Sequence, residues 1–483
     1  MPQFYEPKIK ELFVRAPYLN DTDKVLVERA FHFAKKAHAT QTRNNGEPYF
    51  NHVFAAASNL ADLKMDADTI SAGMLHDTIE DCDVTYEQLK TEFNEDVAFL
   101  VESVTKLSKL KYQGVERHVE SLRKFFVAAA QDLRVVIIKL ADRLHNISTL
   151  EHVRPEKRAR IALETIELHA RLADRLGIGR LKGELEDFAF PYAFPLEYAQ
   201  VKKILKERKQ DDEKHVEKMF RSLKRRLADE KIPNKVEYRT KHLYSLYLKL
   251  KRYDMDINKI YDLIALRVVV KSVDDCYRVL GLMHRVWRPI PGRIKDYIAV
   301  PKPNGYQSLH TTIFTGDGST VEVQIRTEAM HDEAELGVAS HLNYKEIGKN
   351  KPAILKRNLA WTQQLLEWQK DVKQPDEFMA RLKTDFMEQR VFVMTPKGEV
   401  VDLPRGASPI DFAYAIHSDV GRHTTGAKVN GKLVTFSTEL HNGDIVEIET
   451  KEKGAPSRKW LDYVKTADAR RHIQHYFEGK KDV

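Results

Sequence analysis

Cysteine is almost absent from this chain, since Cys82 and Cys276 are the only two among 483 residues. Two cysteines so far apart cannot build a disulfide framework or a cysteine zinc site, which favours a reducing compartment. No apolar run reaches the ~18 residues that a membrane span needs. The first residues, MPQFYEPKIKELF, also lack the apolar segment of a secretory signal. We therefore expect a cytoplasmic protein with no membrane partner.

A strong excess of one charge is also lacking. Lysine and arginine number 79 against 71 aspartate and glutamate, which gives a net charge of +8 and a pI near 9.0. This small excess modestly favours a polyanionic partner or a phosphorylated substrate. The length is enough for roughly three domains of ~150 residues each.

Hydrophobic periodicity changes along the chain. Apolar residues at three-to-four spacing predict an all-α domain over residues 1–195, and a proline-bearing segment at 189–200 predicts its boundary. The runs LIALRVVV and TVEVQIRT predict strands of an α/β domain over residues 196–345. Residues 346–388 are predicted to form a helical connector.

A small β-rich domain is predicted over residues 389–452. Its hairpin signals are VFVMTPKGEVVDL, with a turn at Pro396-Lys397-Gly398, and the Asn430-Gly431 pair. Between the two hairpins, Ser408-Pro409 predicts the start of a helix. Residues 453–483 form a basic final segment.

Carboxylates interrupt two apolar helix patterns. In TISAGMLHDTIED, Asp77 and Asp81 share the apolar stripe of one continuous helix, and in VVIIKLADRLHN, Asp142 lies on the apolar stripe. A buried carboxylate is costly unless it is paired or binds metal. On one segment alone, neutralisation by Arg143 and nearby lysines would be the simpler explanation.

Two such segments together with a distant histidine favour a metal site. An adjacent His-Asp pair with an outlying histidine and an outlying aspartate is the ligand set of an HD phosphohydrolase. The four candidates are His52, His76, Asp77 and Asp142. Mixed imidazole and carboxylate ligands suit Mn²⁺, with Mg²⁺, Fe²⁺ or Zn²⁺ as alternatives. Glu80 and Asp81 follow one turn later, placed to orient or deprotonate a water activated by the metal.

A second group of segments is rich in basic and aromatic residues. YRTKHLYSLYLKLKR carries Arg239, Lys241 and Lys249 among tyrosines, a pattern that alone is typical of a solvated amphipathic helix. Asp262 precedes the strand LIALRVVV, where a carboxylate can hold Mg²⁺. RIKDYIAVPKPNGYQSLHTT adds further cations, with Tyr306 available to stack on a purine. No GxxxxGK[ST] phosphate loop is present in the sequence.

Strict alternation in TVEVQIRT separates two faces of a strand. Glu322, Gln324 and Arg326 share one face. Two interpretations are open. In the first, that face is the solvent side of a half-exposed sheet. In the second, it presents a hydroxyl-activating base beside phosphate-binding groups.

The first group of motifs resembles the hydrolase of a known family. TRNNGEPYFNH, HDTIED and KLADRLHNISTL are similar to motifs of the long RelA/SpoT homologues, which make and destroy the guanosine alarmones pppGpp and ppGpp. The resemblance implies that the four candidates above are metal ligands, that Glu80 and Asp81 are catalytic, and that the nucleotide is contacted by Arg43, Asn146 and Thr149. The family usually has a second basic residue after Arg43, where this chain has Asn44.

The second group resembles the family's synthetase domain, which transfers pyrophosphate from ATP to the 3′-OH of GDP or GTP. The resemblance implies that Asp262 and Glu322 bind or orient Mg²⁺, with Glu322 also the base. The adenine would be held by Arg239 and Arg267. The phosphates would be held by Lys241, Lys249, Lys295 and Lys302, with Ser245 in the same phosphate-facing segment. The guanosine side would be lined by Asn304, Tyr306, Gln307 and His310.

Residues 390–450 resemble a TGS domain, the β-grasp module that follows the synthetase in this family. In ribosome-associated members it meets the acceptor end of tRNA, so the ribosome and uncharged tRNA are expected partners. The family commonly has Gly-His-Arg where this chain has Gly421-Arg422-His423. We expect residues 453–483 to begin a C-terminal regulatory region that is cut short here.

Three functional hypotheses follow from these patterns. The first is a bifunctional alarmone synthetase and hydrolase of the stringent response, acting on ATP, GDP or GTP, and (p)ppGpp. The second is an enzyme of one direction whose other domain senses nucleotide. The third is an RNA or ribosome adaptor. The complete HDTIED motif and the Asp262/Glu322 pair favour the first. The expected folds are an all-α HD-type domain, an α/β nucleotidyltransferase-like domain and a small β-grasp domain.

Overall fold

A computed structural model of the chain describes residues 6–108, 131–260, 263–302, 304–315, 320–342, 390–441 and 443–478. The predicted connector at 346–388 and the predicted magnesium ligand Asp262 lie outside these residues. The described residues form two compact units, one before residue 343 and one after residue 389. In the described part of the chain, no helix combines the length and hydropathy of a membrane span.

The first half of the first unit is helical, as predicted. Its α-helices are α1 (Pro7–Arg15), α2 (Asp21–Ala37), α3 (Phe50–Asp62), α4 (Ala67–Leu75), α5 (Thr78–Asp81), α6 (Tyr86–Glu92), α7 (Glu95–Ser108), α8 (Leu133–Ser148), α9 (Pro155–Glu164), α10 (Ala170–Arg175) and α11 (Gly179–Ala193). A π-helical turn, Thr165–His169, separates α9 from α10. Helix α3 packs against α4 and α8, and these three helices carry the candidate metal ligands or end beside them.

The prediction of one continuous helix through TISAGMLHDTIED is wrong. Helix α4 ends at Leu75 and α5 begins at Thr78. The His76 Nδ1 atom donates to the Gly73 carbonyl at 2.9 Å, and the Thr78 hydroxyl donates to the Leu75 carbonyl at 2.7 Å. These side chains take up carbonyls that would otherwise accept helical N–H groups, so the helix is interrupted at the His-Asp pair.

A helix boundary lies within the predicted proline-bearing segment. Helix α11 ends at Ala193, and α12 (Pro195–Asp229) begins with proline at its first position. Helix α11 packs on α8, α9 and α10 on one side, and on elements of the following α/β region on the other. It is therefore shared by the core of the helical region and the core of the sheet region.

The second half of the first unit is a five-stranded mixed sheet with helices. Its strands are β1 (Asn234–Thr240), β2 (Ile264–Val270), β3 (Lys295–Asp296), β4 (Leu309–Phe314) and β5 (Thr320–Thr327), in the order β1-β2-β5-β4-β3. Only the β2–β5 pair is parallel. Helices α13 (Leu243–Arg252), α14 (Val273–Val286), α15 (Glu328–Leu336) and α16 (Ala339–Leu342) complete it.

The two faces of this sheet differ in chemistry. One face buries apolar side chains against α12 and α14, including Val268, Val323 and Ile325. On the opposite face, Gln324 is 2% exposed and Arg326 is 1% exposed. The interpretation of this face as a solvent side is therefore wrong, because loops and helices of the same unit cover it.

The second unit contains the predicted hairpins and helix. Strands β6 (Arg390–Met394) and β7 (Val400–Pro404) pair, as do β8 (Thr424–Val429) with β9 (Lys432–Val434) and β10 (Val446–Thr450). Asn430 and Gly431 both have positive φ, as their two-residue turn requires. Helix α17 (Pro409–Ile416) starts with a capping box between Ser408 and Asp411, and α18 (Ser418–Arg422) follows.

The basic final segment packs against this unit. A 3₁₀ turn, Arg458–Asp462, and α19 (Ala467–Glu478) share an apolar cluster with α17. The link is the fully buried Asp411, whose Oδ1 accepts hydrogen bonds from Lys465 N and from the amide and hydroxyl of Thr466 at 2.7–2.9 Å. The compact fold of this unit therefore continues past residue 452.

Candidate active sites

Four buried side chains converge in the helical region, and we call them the helical site: His52, His76, Asp77 and Asp142. One ligand atom each from His52, His76 and Asp142 lies within a 4.8 Å span. The Asp77 Oδ2 atom is 3.1 Å from His76 Nε2 and 3.5 Å from His52 Nε2. The structure thus brings together all four residues that the sequence proposes as metal ligands.

The hydrogen bonds of the two imidazoles leave their Nε2 atoms facing the carboxylates. His76 Nδ1 must donate to the Gly73 carbonyl, because that oxygen can only accept. The His76 Nε2 atom is buried and has no hydrogen-bond partner among the described residues. Once His76 is neutral, as metal binding requires, its Nε2 lone pair points at Asp77 and Asp142, an arrangement that a divalent cation satisfies.

Protonation also responds to this concentration of negative charge. Burial opposes a charge on His76, but the neighbouring Asp77 and Asp142 carboxylates raise its pKa to about 10. Burial raises the pKa of both carboxyl groups. Even so, His76 holds the pKa of Asp77 well below its usual range, and Lys139 does the same for Asp142. The carboxylates are thus ionised and attract a positive charge, which a metal ion can supply.

The three predicted nucleotide contacts lie at the edge of the helical site and touch one another. Arg43 donates to the Asn146 side-chain oxygen at 2.8 Å and to the Thr149 hydroxyl at 3.3 Å. The Asn146 amide in turn donates to Asp142 at 2.6 Å. Neutralisation of Asp142 by Arg143 and nearby lysines, the simpler explanation for its burial, holds only in part. Lys139 pairs with Asp142 at 2.7 Å, whereas Arg143 pairs with Glu164.

Glu80 and Asp81 lie on the short helix that follows the His-Asp pair. Glu80 is half-buried and Asp81 is exposed, while the four metal-ligand candidates are buried. The Asp81 carbonyl accepts a hydrogen bond from the Gln41 side chain at 2.6 Å. Both residues are therefore more exposed than the buried ligand set.

Sequence reasoning missed two residues of the helical site. The Tyr49 hydroxyl donates to Asp77 Oδ2 at 2.8 Å, and His145 Nδ1 lies 2.8 Å from His52 Nδ1. Each stands three residues from a ligand on a helix or at its start, a spacing that places it on the same face. This three-residue spacing could have indicated both residues from the sequence alone. Burial, with the neighbouring His52 and the positive charge of Arg43, lowers the pKa of His145 to about 4.

A second constellation lies on the polar face of the sheet, and we call it the sheet site. The strand register aligns four of its side chains in one row across neighbouring strands: Arg267, Gln324, His310 and Lys295. Cross-strand partners share a face of the sheet. The register therefore brings residues from four strands to one surface.

Glu322 is held next to this row by two hydrogen-bonding side chains. The Gln324 amide donates to its Oε1 at 2.9 Å, and His310 Nδ1 lies 3.4 Å from the same oxygen. The Tyr306 hydroxyl is 2.8 Å from His310 Nε2. Burial opposes ionisation, but His310, Gln324 and the charge of Lys249 lower the pKa of Glu322 to about 2. Glu322 is thus an ionised carboxylate held among polar side chains.

Two arginines of the sheet site share one carboxylate. Arg267 and Arg326 both reach Glu335 Oε1, at 3.1 and 2.9 Å, and Arg326 also contacts His331 Nδ1 at 2.8 Å. Burial and the charge of Arg326 lower the pKa of Arg267 to about 10. Two guanidinium groups against one carboxylate leave a net positive charge, which suits a phosphate group. The sequence did not indicate Glu335 or His331.

A cavity of about 260 Å³ opens beside these groups. Its lining includes eight predicted residues: Arg239, Ser245, Arg267, Lys302, Asn304, Tyr306, His310 and Arg326. The α10–α11 region adds Asp174, Arg180, Lys182 and Glu186, which the sequence did not point to. The sheet site is thus completed by residues of the helical region.

The remaining predicted residues of the described chain, Glu322 and Gln324 among them, lie outside the cavity lining. Lys295 and Lys249 act on the site through charge, on Lys302 and Glu322 respectively. The backbone of Lys241 bonds to the Leu263 carbonyl, and the Gln307 amide donates to the Ile298 carbonyl at 3.2 Å.

Comparison with known proteins gives three family matches. Residues 30–179 match the HD domain, residues 238–349 match a region found in RelA and SpoT proteins, and residues 391–450 match the TGS domain. The helical site falls within the first match and the sheet strands β2 to β5 within the second.

Relatives of known name align along nearly the whole chain. A GTP pyrophosphokinase of Myxococcus xanthus is 45% identical over 99% of this chain and 63% of its own length. The bifunctional (p)ppGpp synthase/hydrolase SpoT of Escherichia coli is 43% identical over 96% of this chain and 66% of its own length. The chain thus spans slightly less than two thirds of these relatives. A crystal structure of small alarmone synthetase 1 from Bacillus subtilis, bound to its product pppGpp, is 23% identical over 36% of this chain and 94% of that one, with a TM-score of 0.25.

Proposed function

Because this chain belongs to the family of long RelA/SpoT homologues, we propose that it is a bifunctional alarmone enzyme. In this proposal the sheet site transfers pyrophosphate from ATP to the 3′-OH of GDP or GTP, and the helical site removes it again from (p)ppGpp. The observation that carries the proposal is the presence of two separate, assembled polar sites within one compact unit. An enzyme of one direction whose other domain senses nucleotide would need binding residues in that domain but no complete set of metal ligands or catalytic carboxylates, and an adaptor would need neither site.

In the proposed hydrolase, His52, His76, Asp77 and Asp142 hold a divalent cation. When bound, such a cation polarises a phosphoryl oxygen and makes a water more acidic. Glu80 and Asp81, more exposed than the ligands, accept the proton of the attacking water. Arg43, Asn146 and Thr149 orient the nucleotide. Mixed imidazole and carboxylate ligands favour Mn²⁺ as the physiological ion.

In the proposed synthetase, Glu322 accepts the proton of the 3′-OH of the acceptor nucleotide. The cations of the cavity stabilise the negative charge that spreads over the transferred group. Arg239 and Arg267 hold the ATP, Lys302 and the neighbouring lysines hold phosphates, and Tyr306 stacks on guanine. We assign Mg²⁺ to this site, held by Glu322 with Asp262.

Two incubations of the purified chain test this proposal. With ppGpp and Mn²⁺, we expect release of pyrophosphate and appearance of GDP, abolished by a chelator. With ATP, GDP and Mg²⁺, we expect ppGpp and AMP. If only one reaction occurs, the enzyme works in one direction and the other site senses nucleotide. If neither occurs, the proposal is wrong.

For the TGS unit we propose a contact with the acceptor end of uncharged tRNA on the ribosome. The supporting observation is the packing of basic and aromatic side chains on one unit, where the Arg422 guanidinium lies 5.4 Å from the Tyr476 ring centroid. An electrophoretic shift of uncharged tRNA tests it. Binding that is unchanged in Arg422→Ala would contradict the proposal.

A further inference from the structure

A hydrogen-bonded chain joins a predicted nucleotide contact to a metal-ligand candidate. The Arg43 Nη1 atom lies 3.0 Å from His145 Nδ1, and His52 Nδ1 lies 2.8 Å from the same His145 atom. A guanidinium can only donate, so His145 Nδ1 must carry a lone pair. His52 Nδ1 is then the second donor to that single lone pair, in a three-centre hydrogen bond. The proton of His52 is therefore on Nδ1, and its lone pair is on Nε2, the atom facing Asp142 at 3.3 Å.

We propose that His145 is a positioning residue that fixes the tautomer and ring orientation of His52 as a metal ligand, and that Arg43 locks His145 in its accepting form. The inference rests on the proposed metal-dependent hydrolase. Arg43 thereby has a second role besides contact with the nucleotide, because it affects metal affinity even when no nucleotide is bound.

The opposite tautomer shows why Arg43 matters. Without a donor at His145 Nδ1, that atom can carry a proton and donate it to His52 Nδ1. His52 would then hold its own proton on Nε2, which points at the carboxylates and could not bind a metal. The Arg43 hydrogen bond excludes this arrangement. His76 has no such alternative, since its partner is the Gly73 carbonyl, which cannot donate.

Arg43 also supports a second ligand by the same logic. Its Nη2 atom donates to Asn146 Oδ1, so the Asn146 amide nitrogen must face Asp142, to which it donates at 2.6 Å. Arg43 therefore stands at the origin of two short hydrogen-bonded branches, one to an imidazole ligand and one to a carboxylate ligand. Partners of this kind orient metal ligands and affect metal affinity by roughly 10- to 100-fold.

Binding of Mn²⁺ to the whole chain without nucleotide tests the inference, with free Mn²⁺ followed by electron paramagnetic resonance. His145→Leu removes the acceptor and should weaken binding by roughly 10- to 100-fold. His145→Asn places an acceptor oxygen near the position of Nδ1, and it should recover most of that loss. Arg43→Leu removes the donor to His145 and should also weaken binding. His152→Leu is the matched control, since His152 is on the following turn and half exposed.

The outcomes separate this inference from the proposed function. Asp77→Ala serves as the reference, because it removes a ligand and should abolish tight Mn²⁺ binding. If Asp77→Ala binds Mn²⁺ as the native chain does, the metal site itself is wrongly assigned. If Asp77→Ala loses binding but His145→Leu and Arg43→Leu retain it, the metal site stands and the positioning role is overturned. Equal losses in His145→Leu and His145→Asn would also overturn it, because packing rather than hydrogen bonding would then be responsible.

Discussion

The ammonium group of Lys302 lies over the face of the Tyr306 ring, 4.7 Å from its centroid. The same ammonium is 4.7 Å from the ring centroid of Tyr297, so two aromatic faces enclose one cation. Cation–π contacts of this kind stabilise a charge that has lost its water. A guanine base that stacked on this face of Tyr306 would have to displace Lys302, which would then be free to reach a phosphate.

The ionisation of Lys302 predicts how synthesis depends on pH. Burial, with the positive charges of Lys295 and Arg239, lowers its pKa to about 8. The ammonium form, which attracts phosphate, is therefore lost as pH rises through 8. We expect kcat/KM for GDP to fall about tenfold per pH unit above that value. Lys302→Arg keeps its charge and should remove this dependence, whereas Lys271→Arg, at an exposed position, should preserve it.

Loss of a metal ligand should abolish hydrolysis. Asp77→Ala removes one of the four converging ligands of the helical site, so we expect no release of pyrophosphate from ppGpp with Mn²⁺. Glu87→Ala changes an exposed carboxylate of the next helix and should leave the rate unchanged. Undiminished hydrolysis in Asp77→Ala, or full activity of the native chain in excess chelator, would contradict the assignment.

Synthesis should require the carboxylate of Glu322. Glu322→Gln keeps the side-chain shape but removes the base and its charge, so we expect the rate of ppGpp formation to fall by ~10²-fold or more. GDP binding, measured by calorimetry, should persist because the cations of the cavity are unchanged. Glu328→Gln, at an exposed position just after the same strand, is the control. A rate near normal in Glu322→Gln would assign the base to another residue.

The shared helix α11 should affect synthesis through its close packing on α13. A Cβ at Gly183 would lie 2.2 Å from the ring of His242, the residue immediately before α13, which carries Ser245 and Lys249. Gly183→Ala should therefore shift α13 and lower the synthetase rate by about tenfold or more.

Gly281→Ala is the matched control for this variant. It places the same methyl group on a helix where nothing lies within 4 Å. Because alanine lowers the conformational entropy of the unfolded chain, the change should be neutral or stabilising. Equal synthetase rates in the two variants would show that contact between α11 and α13 does not position the site.

Stability of the second unit should depend on Asp411. Its two carboxylate oxygens accept five hydrogen bonds, from Ser408 and from Lys465 and Thr466. Asp411→Ala leaves buried donors without acceptors, which should destabilise the unit by about 3 kcal/mol or more. Hydrogen exchange across residues 391–478 measures this. Asp419→Ala, at an exposed position, should leave exchange unchanged, and slow exchange in both variants would contradict the role of Asp411.

Local features of the fold were predictable because they depend on neighbours in the chain. The helical period over α8, the alternation in β5, the Asn430-Gly431 turn and the Ser408 cap each follow from a few adjacent residues. Asp77 and Asp142 could also be singled out locally, since carboxylates on apolar stripes are anomalous wherever the helix lies, whereas His52 and His76 were proposed from the motif. The one local prediction that was wrong, a continuous helix through His76, was overturned by side chains that hydrogen-bond to nearby carbonyls.

Only the tertiary structure decided which distant groups meet. His52 and His145 are 93 positions apart, and their shared hydrogen bond depends on how α3 packs on α8. The row of Arg267, Gln324 and His310 depends on strand register, and the burial of Arg326 depends on the helix that carries Glu335. The sequence of a strand does not specify which residues of the neighbouring strand it pairs with. The contacts that set protonation and charge at both sites are therefore fixed by packing, which no local pattern encodes.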